Sequence, residues 1–226
     1  MVADGQPPAR GERAGLAPLR LCAGTLVVEH PDQVLLDHLD ERNSWSYPAY
    51  DRMVTNGSAV LVDGDLLAPN LIGTAVDRDR FLLLRELMPR LAGVADLPLV
   101  ALDEADDTVV ERVAELFAVL DEAPYAGRGV RGTILSKVLH RKRPDLVPLY
   151  DSRIFEAYTA PGAIDRSAHR TWGEFMGRLL RQMRTDLQAE RAAFGVLQQV
   201  ARGAGAELTR LRVLDVLVWR SAEAWT

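Results

Sequence analysis

The chain has 226 residues, 48% of them hydrophobic and 26% charged, which is enough apolar content for one sizeable core and unlike a disordered or fibrous chain. A formal charge of −5, from 27 basic and 32 acidic residues, argues against a protein that coats nucleic acid or membrane over its whole surface. The single cysteine, Cys22, excludes an internal disulfide and an iron–sulfur cluster.

Residues 1–17 are rich in Gly, Pro and Ala and lack the apolar core of a signal peptide, so they read as a disordered tail before one domain over 18–226. Apolar runs such as Leu97 to Leu102 are too short to span a bilayer, and a soluble, cytoplasmic protein is expected. Thr25 to Val28 and Ala59 to Val62 are candidate short strands, but no alternating run is sustained. Residues 32–42 carry apolar residues at helical spacing. Ser44 to Asp51 reads as an aromatic loop, with Trp45, Tyr47 and Tyr50 around Pro48. Asp65 is placed to cap a helix through Leu66, Leu67, Leu71 and Ile72, with Pro69 in its first turn or kinking it. Asp77 opens a stronger helix whose apolar face is Phe81, Leu82, Leu84, Leu87 and Met88. Asp106 or Asp107 opens the next, with the stripe Val109, Val113, Leu116, Phe117 and Leu120.

After the glycine cluster at 127–132, a helix is expected over Thr133 to Lys142, then a loop bounded by Pro144 and Pro148, then a helix from Ser152. Long amphipathic helices over 167–185, 186–202 and 206–222 complete an all-α domain of about ten helices.

Gly127-Arg128-Gly129-Val130-Arg131-Gly132 matches the dinucleotide pattern G-x-G-x-x-G, but that site needs a strand before it, and here the preceding segment is helical. Two readings remain. One is a glycine-rich connection between helices; the other is a tight hairpin that turns backbone N–H groups and a helix N-terminus toward a phosphate. Charge favours the second. Arg128, Arg131, Lys137, Arg141, Lys142 and Arg143 fall within sixteen residues without one acidic side chain, and the only two lysines of the chain are among them. A solvated helix face is the alternative for this run.

The stretch from Thr133 through Pro148, Asp151 and Ile154 resembles the core of the helix-hairpin-helix DNA glycosylase superfamily, in which a hairpin is followed by an apolar helix, a proline loop and an aspartate opening the next helix. The segments Asp65 to Asn70 and Leu214 to Trp219 look more like an uncharacterised bacterial family associated with that fold. Arg131 stands where the superfamily hairpin has its second glycine or shifts the register by one, and Arg153 stands where many members carry His.

The resemblance implies a monofunctional glycosylase that removes a modified or damaged base from double-stranded DNA, in repair or defence, without a cofactor and as a monomer. It makes Asp151 the carboxylate that faces the developing sugar cation, although an aspartate there also serves as a helix N-cap. Lys137 lies one turn beyond the position of the Schiff-base lysine of strand-cleaving members; phosphate contact is its simpler reading. Gly129, Val130, Gly132 and the hairpin cations would hold DNA. Trp45, Tyr47, Tyr50, Asn70 and Trp172 are candidates to line the pocket of a flipped base, while Trp219, in a run of Leu and Val, reads as core. His30, His38, His140 and His169 show no metal-ligand spacing. A non-catalytic DNA-binding module and a glycosidase of free nucleosides or nucleotides are the competing functions.

Overall fold

The computed structural model describes residues 15–40, 42, 47–53, 58–123, 125–165 and 171–222. Five of the described helices begin where a side chain supplies an acceptor for the free N–H groups of a first turn. Asp77 caps α4 (Arg78–Leu87) through Arg80 N, and Asp106, not Asp107, caps α5 (Asp107–Ala118) through Val109 N. Asp151 caps α7 (Ser152–Tyr158), Thr171 caps α8 (Trp172–Ala189) and Thr209 caps α10 (Arg210–Ser221). The others are α1 (Pro31–Leu39), α2 (Tyr47–Arg52), α3 (Asp63–Leu67), α6 (Gly132–His140) and α9 (Arg191–Gly203).

Several expectations are corrected. The aromatic stretch is not a loop from residue 47 onward but the short helix α2, because Pro48 falls in a first turn, where a missing N–H costs nothing. Asp65 is the third residue of α3 rather than its cap; its Oδ2 reaches back to Val62 N at 2.8 Å. Pro69 ends that helix, and the chain continues as a 3-10 turn over Ala68–Ile72. On α4 the inward residues are Leu83, Leu84 and Leu87, while Leu82 faces out.

The described residues hold one two-stranded antiparallel sheet, β1 (Leu19–Leu21) with β2 (Leu26–Val28), in register Leu21↔Leu26. Only β2 is legible in the sequence, and Ala59 to Val62 is not a strand. The hairpin turn puts Cys22 and Ala23 in the left-handed region, with φ of 56° and 58°. Asp186 of α8 stabilises that turn by accepting from Cys22 N at 2.8 Å, and it also accepts from the Tyr158 hydroxyl at 2.9 Å.

α5 and α8 pack along each other, and α10 runs through the middle against α1, α7, α8, α9 and β2. Residues Leu211–Val218 of α10 are all buried, Arg212 and Asp215 included. Ionisable groups in so buried a stretch mark where an apolar core was not the only requirement. No helix among the described residues is long and apolar enough to cross a membrane.

Candidate active site

The segment before Asp151 is fixed at almost every backbone group. Val147 N donates to Arg143 O at 2.8 Å, and Val147 O accepts from His140 Nδ1 at 2.6 Å. Pro148 has no N–H to satisfy. Leu149 N donates to Asp215 Oδ2 at 3.0 Å, and Tyr150 N donates to Ser136 Oγ at 3.1 Å. α6 and α10 thus clamp the loop from both sides and deliver Asp151 to the start of α7 in a set position.

Asp151 divides its carboxylate between two tasks. Oδ1 accepts from Arg153 N at 3.0 Å and Ile154 N at 3.1 Å, which is the N-cap; Oδ2 accepts from the indole Nε1 of Trp219 at 3.0 Å. The residue is half-buried, and the Arg153 guanidinium lies over the Trp219 ring, 4.1 Å from its centroid. Beside it is a crevice lined by Lys137, Leu149, Asp151, Ile154, Asp215 and Trp219, with room for about one water. Burial, above all, pushes the Lys137 amine down to about 8; the Asp151 charge opposes that shift, and Arg212 adds to it. Its Nζ donates to Thr74 Oγ1 and to Ile72 O, so the lysine also holds the 72–74 turn.

The basic run is not a surface patch. Lys137, Arg141, Lys142 and Arg143 are all buried, and each is spoken for inside the protein. Arg141 donates to Tyr50 O and Met53 O at the end of α2. Lys142 pairs with Asp65 at 2.7 Å, their side chains 1% and 5% exposed. Arg143 donates to Leu97 O and Ala95 O. The phosphate-contact role expected for Lys137, Arg141 and Lys142 is therefore corrected: these cations staple distant loops to α6. Of the hairpin cations, Arg128 and Arg131 remain exposed, with Arg128 3.7 Å from Glu86.

The glycine cluster answers to packing as much as to turning. Gly127 and Gly129 have positive φ, 76° and 98°, and Val130 is buried. At Gly132 a Cβ would lie 2.2 Å from the Trp172 ring, so that residue admits no side chain. Trp172 is accordingly packed on the start of α6, with its ring edge-on to Tyr150 at 6.0 Å, rather than free to stack on a base. Tyr50 is fully buried and donates its hydroxyl to Lys137 O at 2.8 Å. It forms one wall of a separate cavity of about 270 Å³ with Asp51, His140, Arg141, Thr209 and Arg212. Asn70 braces its own loop through Val76 N at 3.0 Å. Trp45 and the side chain of Tyr47 lie outside the described residues, as does His169. None of Tyr50, Asn70 and Trp172 lines the crevice beside Asp151.

Two residues of α10 that the sequence does not place in the site line the crevice. Trp219 is not merely core but holds Asp151, and Asp215 lies four residues before it on the same face of α10. The available signal was an aspartate inside the Leu214–Trp219 apolar run, a costly placement without a partner. Among the described residues no group of three or more His, Cys, Asp or Glu side chains is arranged to hold a metal ion.

No curated protein and no solved structure matches this chain. A family of unknown function (DUF6308) matches residues 31–222, which take in every α-helix and the whole of the crevice. The chain belongs to that family.

Proposed function

We propose that this protein is a glycosidase of the helix-hairpin-helix DNA glycosylase type, hydrolysing the bond between a modified or damaged base and its sugar in DNA. One observation carries the reading: a half-buried carboxylate at a helix N-terminus, oriented by three N–H donors, in the wall of a water-sized crevice that also holds an amine. Departure of a base leaves positive charge on the sugar, and a fixed carboxylate stabilises that charge without reorganising. The same oxygen orients or deprotonates the attacking water. Lys137 is buried and engaged with Thr74 and Ile72, which supports simple hydrolysis over strand cleavage through a Schiff base.

The burial of Lys137, Arg141, Lys142 and Arg143 favours a second reading, hydrolysis of a free nucleoside or nucleotide, because little of the basic run is left for a phosphodiester backbone. It counts equally against a DNA-binding module without chemistry. The test is release of free base, followed by mass spectrometry, from duplex DNA carrying varied modified bases and from free nucleosides and nucleotides. Release from duplex alone, with salt-sensitive binding, is the expected result. Release from free nucleosides or nucleotides alone selects the second reading, and release from neither refutes glycosidase activity.

A further inference from the structure

α10 brings a second carboxyl to the crevice. Asp215 is 2% exposed, its Oδ2 is engaged with Leu149 N, and its Oδ1 is buried without a hydrogen-bond partner in the protein. The crevice walls are otherwise Ile72, Leu149, Ile154 and Trp219, so the polar groups able to hold a water there are Lys137, Asp151 and Asp215, with Arg212 engaged by Asp51. A buried water needs two to four such partners. Asp151 Oδ1 already accepts two amides and Oδ2 one indole N–H, so Oδ2 has the spare lone pair for that water.

We propose that Asp215 is a positioning residue that holds the attacking water against Asp151. This rests on the glycosidase reading and deepens it. In the step, the water oxygen bonds to the anomeric carbon as the carbon–nitrogen bond breaks and its electron pair leaves with the base. The water proton passes to Asp151 and from there to the departing nitrogen, so that one water is added across the bond. Asp215 keeps its own proton throughout and contributes a fixed hydrogen bond.

The surroundings suit that division. Burial pushes the Asp215 carboxyl up to about 8, with Asp151 and Asp51 adding to the shift and Arg212 and Leu149 N opposing it. Lys137 on α6, Tyr50 on α2 and Tyr158 on α7 are the other ionisable groups nearby, and burial holds both phenols well above their usual range. Burial therefore keeps the Asp215 carboxyl protonated at neutral pH.

The variants Asp215→Asn and Asp215→Leu separate this role from a purely structural one. Asn retains an acceptor for Leu149 N and a neutral donor for the water, and it cannot ionise. Wild-type base release is expected to fall as pH rises through about 8, where Asp215 gives up its proton. Asp215→Asn should retain more base release than Asp215→Leu at pH 7 and lose that alkaline fall. Asp215→Leu should lower kcat on the order of 100-fold with KM little changed, the scale of one oriented hydrogen bond at a reacting centre. Infrared difference spectra of the whole protein at pH 7 should show a protonated-carboxyl band that is absent in Asp215→Asn. An alkaline fall unchanged in Asp215→Asn but abolished in Lys137→Met, or an Asp215 already ionised at pH 7, overturns the inference while leaving the glycosidase reading intact. A wild type that releases no base from any substrate overturns both.

Discussion

Lys142→Met tests whether the basic run is internal wiring. The ammonium sits 2.7 Å from Asp65, and the two side chains are 1% and 5% exposed. Removing one member of such a pair leaves the other charge buried and uncompensated, which costs about 3–5 kcal/mol. For a domain of this length, each kcal/mol moves the thermal midpoint by about 2–4 °C, so a drop of roughly 6–20 °C is expected. Urea unfolding followed by circular dichroism gives the free energy directly. The double variant Lys142→Met/Asp65→Asn should recover much of the loss, because Asn still accepts from Val62 N but carries no charge. A solvated or phosphate-binding lysine behaves differently: its loss changes stability by no more than about 0.5 kcal/mol. A Lys142→Met protein as stable as wild type but weaker on DNA would refute the internal assignment.

Two further predictions follow from packing and titration. Gly132→Ala should destabilise by about 1–3 kcal/mol, the usual cost of forcing an extra methyl into a filled core, since its Cβ would meet the Trp172 ring at 2.2 Å. Combining it with Trp172→Leu should restore part of that in denaturant titrations, and a stable single variant would show that the ring moves aside freely. Burial holds the His140 imidazole down to about 4, against the opposing hydrogen bond to Val147 O. An unfolded histidine takes up its proton near 6.5, so the His140 contribution is intact above that pH and is lost as pH falls toward 4, at up to about 1.4 kcal/mol per unit. Between pH 7 and pH 5, His140→Asn should therefore lose less stability than wild type; parallel curves would show that the histidine is not kept neutral.

Periodicity and caps made the helical class legible, because Asp77, Asp106 and Asp151 announce helix starts and the stripes of α5 and α8 point inward. What stayed hidden depends on contacts distant in sequence. Nothing near Arg141 or Arg143 in the chain reveals that Tyr50 O, Met53 O, Ala95 O and Leu97 O will meet them, so charge was read as surface. A long cationic side chain reads as polar in any periodicity, whereas here its charge ends on buried carbonyls. α2 is not legible, because proline and clustered aromatics carry the local signature of a loop even where the proline sits in a first turn. β1 has only three residues and depends on the β2 pairing and on Asp186 under its turn, neither of which is a local signal. Within the site, Asp151 was legible by register, but its Trp219 and Asp215 companions come from a helix more than sixty residues away.

The central claim is that the Asp151 carboxylate does chemistry beyond capping α7, and Asp151→Asn addresses it most directly. The substitution preserves size and an acceptor for Arg153 N and Ile154 N but sets its amide NH2 against the Trp219 indole donor, so the stability change should be about 1–3 kcal/mol. The measurement is base release by Asp151→Asn and wild type on the best substrate found, with thermal midpoints recorded on the same samples. A loss of orders of magnitude in rate with the fold intact is the predicted result. An Asp151→Asn protein that is stable and fully active would contradict the mechanism and leave Asp151 as a helix cap alone.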